Sequence, residues 1–272
     1  MQTTTANKSA TSATKKGISG STIKLIAMAI MLLDHIGGVI LERILVSRGI
    51  NEVTESTAAA FLAQNQLLYW VDFVMRNIIG RVAFPLFLFL LFEGFRHTSD
   101  RKRYAFNLAA FALISEIPYN LSISGQIFCW KSQSIGITLL LCLLLLYVVD
   151  YIDQRSESQM TIMIFQLLAT AAFSVVGYFM RGEYGASGIL AIAVIYFFRK
   201  TRLMSMVTGC LALSTLSTTE ITSFLCLIPI HFYNGERGSS HKYIFYAFYP
   251  VHLLILYGIA ALLGYGTVSL IA

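Results

Sequence analysis

Residues 23–45 read IKLIAMAIMLLDHIGGVILERIL, an apolar run broken near its centre by Asp34 and His35. Crossing a hydrocarbon core of roughly 30 Å takes about 20 such residues in a helix. The run is therefore long enough to span a bilayer. It is also too long for the apolar core of a signal peptide, so it is expected to stay in the folded chain as the first helix. Working outward, further apolar runs lie at 67–95, 104–123, 134–152, 161–180, 185–198, 203–216, 221–233 and 243–263. The expected fold is all-α, a polytopic transmembrane bundle of about nine helices. The three runs between 185 and 233 are shorter than a full span, so their boundaries are the least fixed and one of them is a candidate re-entrant segment. Residues 1–21 are rich in Thr, Ser, Ala and Gly and lack periodicity, so they are expected to form a disordered cytoplasmic tail before a single domain at 22–272.

Composition points the same way. Of 272 residues, 56% are hydrophobic and 12% charged, about half the roughly 25% charged content of a soluble domain. This excludes a soluble globule, a disordered chain and a small disulfide-stapled domain. Cys129, Cys142, Cys210 and Cys226 show no C-x-x-C spacing, so neither a disulfide framework nor a zinc site is expected, and they read as core residues. The net charge of +6 suits membrane topology better than nucleic-acid binding, because basic residues collect in cytoplasmic loops. With the amino terminus inside, the loops assigned to the cytoplasm carry 14 Lys and Arg, against four (Arg43, Arg48, Lys131 and Arg181) outside. The expected orientation is amino terminus in, carboxyl terminus out.

An ionisable group at bilayer depth costs at least roughly 2.5–3.5 kcal/mol, so each one inside a span is a functional candidate. Depth follows from the helical rise of 1.5 Å per residue. His35 falls about 18 Å from the inner surface. Arg81 and Glu116 reach a similar level from their own helices, and His252 lies about 14 Å deep. These four, with Asp34, are the candidate catalytic residues. Histidine titrates closest to neutral pH, so a pair of them inside spans suggests general-base work or a proton relay. Asp34 and His35 point about 100° apart on a helix, so one is expected to orient the other or a neighbouring helix. Pro85 cannot donate to the Arg81 carbonyl and is expected to bend the second span beside that charge. Glu116 is expected to hold Arg81 or a histidine in place. The inner loops add Arg96, Arg101, Lys102, Arg103, Arg237 and Lys242, with Arg199, Lys200 and Arg202. Beyond setting topology, guanidinium and ammonium groups there suit the phosphates of a cytoplasmic cofactor.

Five motifs appear in order: Asp34-His35-Ile36-Gly37, Gly80-Arg81-Val82-Ala83-Phe84-Pro85, Glu93-Gly94-Phe95-Arg96-His97-Thr98, Ser115-Glu116-Ile117-Pro118 and Phe248-Tyr249-Pro250-Val251-His252-Leu253. Together they resemble the TraX family over nearly the whole chain from Ile23 to Leu263, and more distantly the acyltransferase 3 membrane proteins. The resemblance implies an acetyltransferase of the bacterial inner membrane that takes acetyl-CoA as co-substrate from the cytoplasm. It implies that His35 and His252 are the helix-one and late Pro-x-His histidines of such enzymes. The family takes its name from a protein that acetylates the amino terminus of a conjugative pilin, but the acceptor here is left open among a peptide amino terminus, a glycan and a lipid, as is the oligomeric state. Membrane lipid is the other expected partner. The rival from the residues alone is a proton-coupled transporter in which the same five side chains form the relay.

Overall fold

The computed structural model describes residues 16–155, 158–215, 217–239 and 242–271. It is all-helical, with no strand among those residues and only isolated bridges at Ile18–Tyr233 and Gln133–Gly182. Eleven α-helices follow in chain order: α1 (Gly20–Ile36), α2 (Glu42–Ser47), α3 (Ala58–Phe73), α4 (Ala83–His97), α5 (Arg101–Ser124), α6 (Ile135–Arg155), α7 (Gln159–Met180), α8 (Gly185–Phe197), α9 (Arg202–Ser214), α10 (Leu227–His231) and α11 (Lys242–Leu262). α1 runs into α2 through a π-helical turn at Gly37–Leu41. α3 runs into α4 through a π-helical turn at Val74–Ile79 and a 3₁₀ turn at Gly80–Val82. Counting each continuous rod once gives nine helical passes among the described residues, as the hydropathy pattern predicts. Five stretches are long and apolar enough to cross a membrane: Gly20–Ser47, Ala58–His97, Ile135–Arg155, Gln159–Met180 and Tyr243–Leu262. This is the architecture of a multi-pass membrane protein.

Two passes depart from the expectation. The run at 221–233 is not one helix but a 3₁₀ segment, Thr218–Cys226, ending in the single turn of α10. Its geometry is set by contact: the Thr222 hydroxyl donates to the Asn77 carbonyl at 2.9 Å, tying the segment to the broken part of the second rod. Arg43, assigned above to an outer loop, is instead fully buried. Its guanidinium donates to the Leu121 carbonyl at 3.0 Å and stands over the Tyr257 ring, so it joins α2 to α5 and α11. Cys142, Cys210 and Cys226 are buried free thiols and Cys129 is half-buried, so no disulfide forms among the described residues. The tail expected at 1–21 lies outside the described residues up to 15, while Ser19 caps α1 by accepting from the Thr22 amide.

The loops sort into two ends. At one, residues 17–20 pair with 232–236 through Ile18 N to Phe232 O at 2.9 Å and Gly20 N to Glu236 O at 2.8 Å. This end also carries Arg96, Arg101, Arg199 and Arg202, and is called the basic end below. At the other, the Gln133 amide donates to the Arg181 carbonyl at 2.9 Å and the Gln133 carbonyl accepts from the Glu183 amide at 3.0 Å, joining the α5–α6 and α7–α8 connections, and the Leu270 amide donates to the Ile123 carbonyl. The apolar centre is supplied by Leu86, Leu88, Leu143, Leu145, Leu146, Ile189, Ile192 and Ile195, which belong to α4, α6 and α8.

Candidate active site

The site lies where α1, the broken second rod and α11 meet. The His35 ring packs nearly parallel to that of His252, and His35 Nδ1 is 2.6 Å from His252 Nε2. His252 Nδ1 is 2.7 Å from the Phe248 carbonyl oxygen. A carbonyl only accepts, so His252 Nδ1 carries the hydrogen. A neutral imidazole has one donor and one acceptor nitrogen. His252 Nε2 is then the acceptor, His35 Nδ1–H donates to it, and His35 Nε2 is left with its lone pair available. The chain of three groups fixes the tautomer of both rings.

The irregular backbone beside the histidines has a packing cause. A Cβ on Gly37 would come within 2.8 Å of Arg76 Cγ, and one on Gly80 would overlap the Asp34 carboxylate. The two glycines therefore let α1 and the second rod approach closely at the level of the charges. The π turns on each rod begin at Gly37 and end at Ile79, just before Gly80, and π-helical turns inside helices recur at functional sites.

Around the histidines the charges form two groups. Arg76 binds Glu42 at 2.7 Å and faces Asp72 at 3.9 Å. Arg81 binds Glu220 at 3.1 Å, donates to Asn77 Oδ1 at 3.4 Å and is hydrogen-bonded to Tyr184. Asp34 lies in the field of both guanidiniums, whereas His35 feels that of Arg76. Glu183, in the turn between α7 and α8, has its carboxyl pushed up to about 7 by burial and by the Asp34 charge, opposed by Arg81 and Arg76. Tyr184 reaches Arg81 because it adopts φ 63°, a left-handed conformation that is sparsely populated for a bulky residue. Its ring stacks on Phe84 at 3.9 Å, which holds it there.

Glu116 has a different role from the one expected. Its Oε1 accepts from the Ser134 amide at 3.0 Å and the Ser134 hydroxyl at 2.5 Å, so it fastens α5 to the start of α6 rather than holding Arg81 or a histidine. Seven residues stand close to the site without having been singled out from the sequence: Glu42, Asp72, Arg76, Asn77, Glu183, Tyr184 and Glu220. Arg76 lies inside an apolar run, and this was the available signal for it. Among the described residues no group of His, Cys, Asp or Glu is arranged to hold a metal ion.

Of the basic residues expected to meet phosphate, Arg96 lines a cavity at the basic end. Arg101 is instead paired with Asp150 at 2.8 Å. Lys102, Arg103 and Arg237 are exposed outside that cavity. Lys242 opens α11, and its side chain lies outside the described residues.

A family model described as TraX protein matches residues 19–260. The probable fimbrial assembly protein FimC, serogroup H1, of Dichelobacter nodosus is 28% identical over 203 residues, covering 66% of this chain and 80% of the relative. No solved structure matches the chain.

Proposed function

Because the chain belongs to the TraX family, we propose that it is an acetyltransferase of the bacterial inner membrane, moving an acetyl group from acetyl-CoA to an amine or hydroxyl acceptor. The observation that carries this reading is the hydrogen-bonded His35–His252 pair, which leaves His35 Nε2 as a base within a protein-lined, charged part of the bundle. The basic end faces the cytoplasm, in keeping with the positive-inside rule, and the donor approaches from there. The relative named for fimbrial assembly makes a pilus subunit a reasonable acceptor.

In this mechanism His35 Nε2 removes the proton from the acceptor nitrogen or oxygen as that atom attacks the thioester carbonyl carbon. The new bond forms, the C–S bond breaks, and the proton held by His35 leaves with the thiolate sulfur as free CoA. While His35 is protonated both its nitrogens donate, and the bond to His252 Nε2 becomes charge-assisted, which shortens and strengthens it. His252, fixed by Phe248, is the positioning residue. Oxyanion stabilisation falls to a guanidinium beside the histidines, Arg76, held by Glu42 at 2.7 Å, or Arg81, held by Glu220 at 3.1 Å.

The test uses the full chain in detergent, radiolabelled acetyl-CoA and an acceptor peptide with a free amino terminus. His35→Ala is expected to lower the rate by about 10²–10⁴-fold, the usual contribution of a general base, with an unchanged size-exclusion profile. Turnover within threefold of the parent protein would falsify the base assignment.

A further inference from the structure

We propose that the basic end carries a phosphate-binding pocket, built from Arg96, Lys200, Arg202 and the amino terminus of α9. The cavity measures about 230 Å³ and is lined by Arg96, Arg199, Lys200 and Arg202, with Glu93 as its one carboxylate. Four cations against one anion is an excess that charges serving topology alone do not need to concentrate. They come from three places in the chain, the end of α4, the α8–α9 connection and the start of α9, and converge on one concavity.

The cations are unequally available. Arg199 is held by Asp153 at 2.5 Å and by the Tyr196 carbonyl at 3.0 Å, so it is the wall of the pocket. Arg202 uses one nitrogen on the Tyr233 carbonyl at 2.9 Å and lies over the Tyr233 ring, which fixes the guanidinium in the cavity lining with its other nitrogens uncommitted to a carboxylate. Arg96 reaches Glu93 only at 3.4 Å, and Lys200 is exposed with no carboxylate partner among the described residues.

The backbone adds a second attraction. α9 has 13 residues, its flanking Thr201 makes no side-chain capping bond, and its first turn contains no acid. The amides of residues 202–204 therefore lack an intrahelical partner and carry the positive end of the helix dipole, an arrangement that favours phosphate. Arg202 and Ser205, both in this first turn, line the cavity. The shared chemistry is a phosphate monoester or diester. It has two sources, the nucleotide end of an acyl donor or an anionic lipid headgroup, and only the first rests on the acetyltransferase reading.

The experiment uses the full chain in nanodiscs with two probes, adenosine 3′,5′-bisphosphate for the nucleotide and phosphatidylglycerol for the headgroup. The parent is compared with the Arg96→Gln, Lys200→Gln double variant and with Lys102→Gln, Arg103→Gln, which removes as many charges from the same end outside the cavity. Arg96 and Lys200 are exposed, so both variants should fold. A tenfold or greater loss of bisphosphate affinity confined to the first variant establishes the nucleotide source. The same loss of retained phosphatidylglycerol by native mass spectrometry establishes the lipid source. No loss for either probe, or equal loss in both variants, overturns the pocket. His35→Ala separates the two proposals. If it binds bisphosphate like the parent and neither transfers acetyl groups, the pocket stands and the acetyltransferase reading fails.

Discussion

The second rod and α6 answer the same constraint in opposite ways. α6 is an unbroken helix from Ile135 to Arg155, and its buried residues are apolar apart from Gly136, Thr138 and Cys142. The rod from Ala58 to His97 contains a kink at Asn65, a π turn, a 3₁₀ turn and Pro85, and it carries Asp72, Arg76 and Arg81 through the same stretch. In a membrane, irregular backbone is tolerated only where protein or water covers it. Here α1 and the 3₁₀ segment Thr218–Cys226 provide that cover. The bundle thus concentrates its π and 3₁₀ turns where Asp72, Arg76, Arg81 and Glu220 are packed, and leaves α6 as scaffold. The comparison makes three predictions about which side chains matter.

The largest effect should come from splitting a pair inside the irregular region. Glu220 is 5% exposed, and Arg81 is its only basic partner among the described residues. Arg81→Ala would leave a buried carboxylate uncompensated, which costs about 3–5 kcal/mol. The variant should lose its monodisperse size-exclusion peak or melt far below the parent, and adding Glu220→Gln should recover much of the loss. A single variant as stable as the parent would show that the pair is not a structural part of this region.

A smaller effect is expected at the close approach of the two rods. Gly80→Ala places a methyl group against the Asp34 carboxylate, and overpacking of this kind costs about 1–3 kcal/mol. Gly258, in α11, has nothing within 4 Å of a built Cβ. Gly258→Ala should therefore be neutral or slightly stabilising, since alanine is the better helix former. Thermal unfolding of both variants measures the contrast directly; equal melting temperatures would mean that the rods separate at little cost.

How much of this was legible beforehand varies residue by residue. Asp34, His35 and His252 stand out because a charged or titratable group in an apolar run is costly, and a count at 1.5 Å per residue places both histidines at similar depth. The pairing of Arg81 was not legible. Glu220 sits one residue before the apolar run at 221–233, so it read as a loop residue, and only the 3₁₀ geometry of Thr218–Cys226 folds it inward. The placement of Arg76 relative to Arg81 was hidden for a related reason. On an ideal helix they are about 140° apart, but the π and 3₁₀ turns between them change that angle, and no residue pattern announces those turns. Tyr184 is the extreme case, since its left-handed conformation depends on stacking with Phe84 from a distant helix.

The smallest effect should come from an ion pair outside the irregular region, and it tests whether burial rather than charge is what distinguishes the site. Arg101 binds Asp150 at 2.8 Å, a shorter contact than the 3.1 Å between Arg81 and Glu220. Judged by distance alone it would be the stronger of the two. The Arg101 side chain is 46% exposed, however, whereas that of Glu220 is 7% exposed. Water therefore screens the attraction and solvates Asp150 when its partner is removed. Exposed pairs of this kind contribute about 0–1 kcal/mol, so Arg101→Ala should shift the melting temperature little, and part of that shift would reflect lost packing over the Phe95 and Tyr147 rings. Adding salt should narrow the gap between variant and parent, because salt screens exposed charges and leaves buried ones nearly untouched. A loss as large as that of Arg81→Ala would mean that the basic end is as tightly determined as the centre, and the contrast between the two regions would not hold.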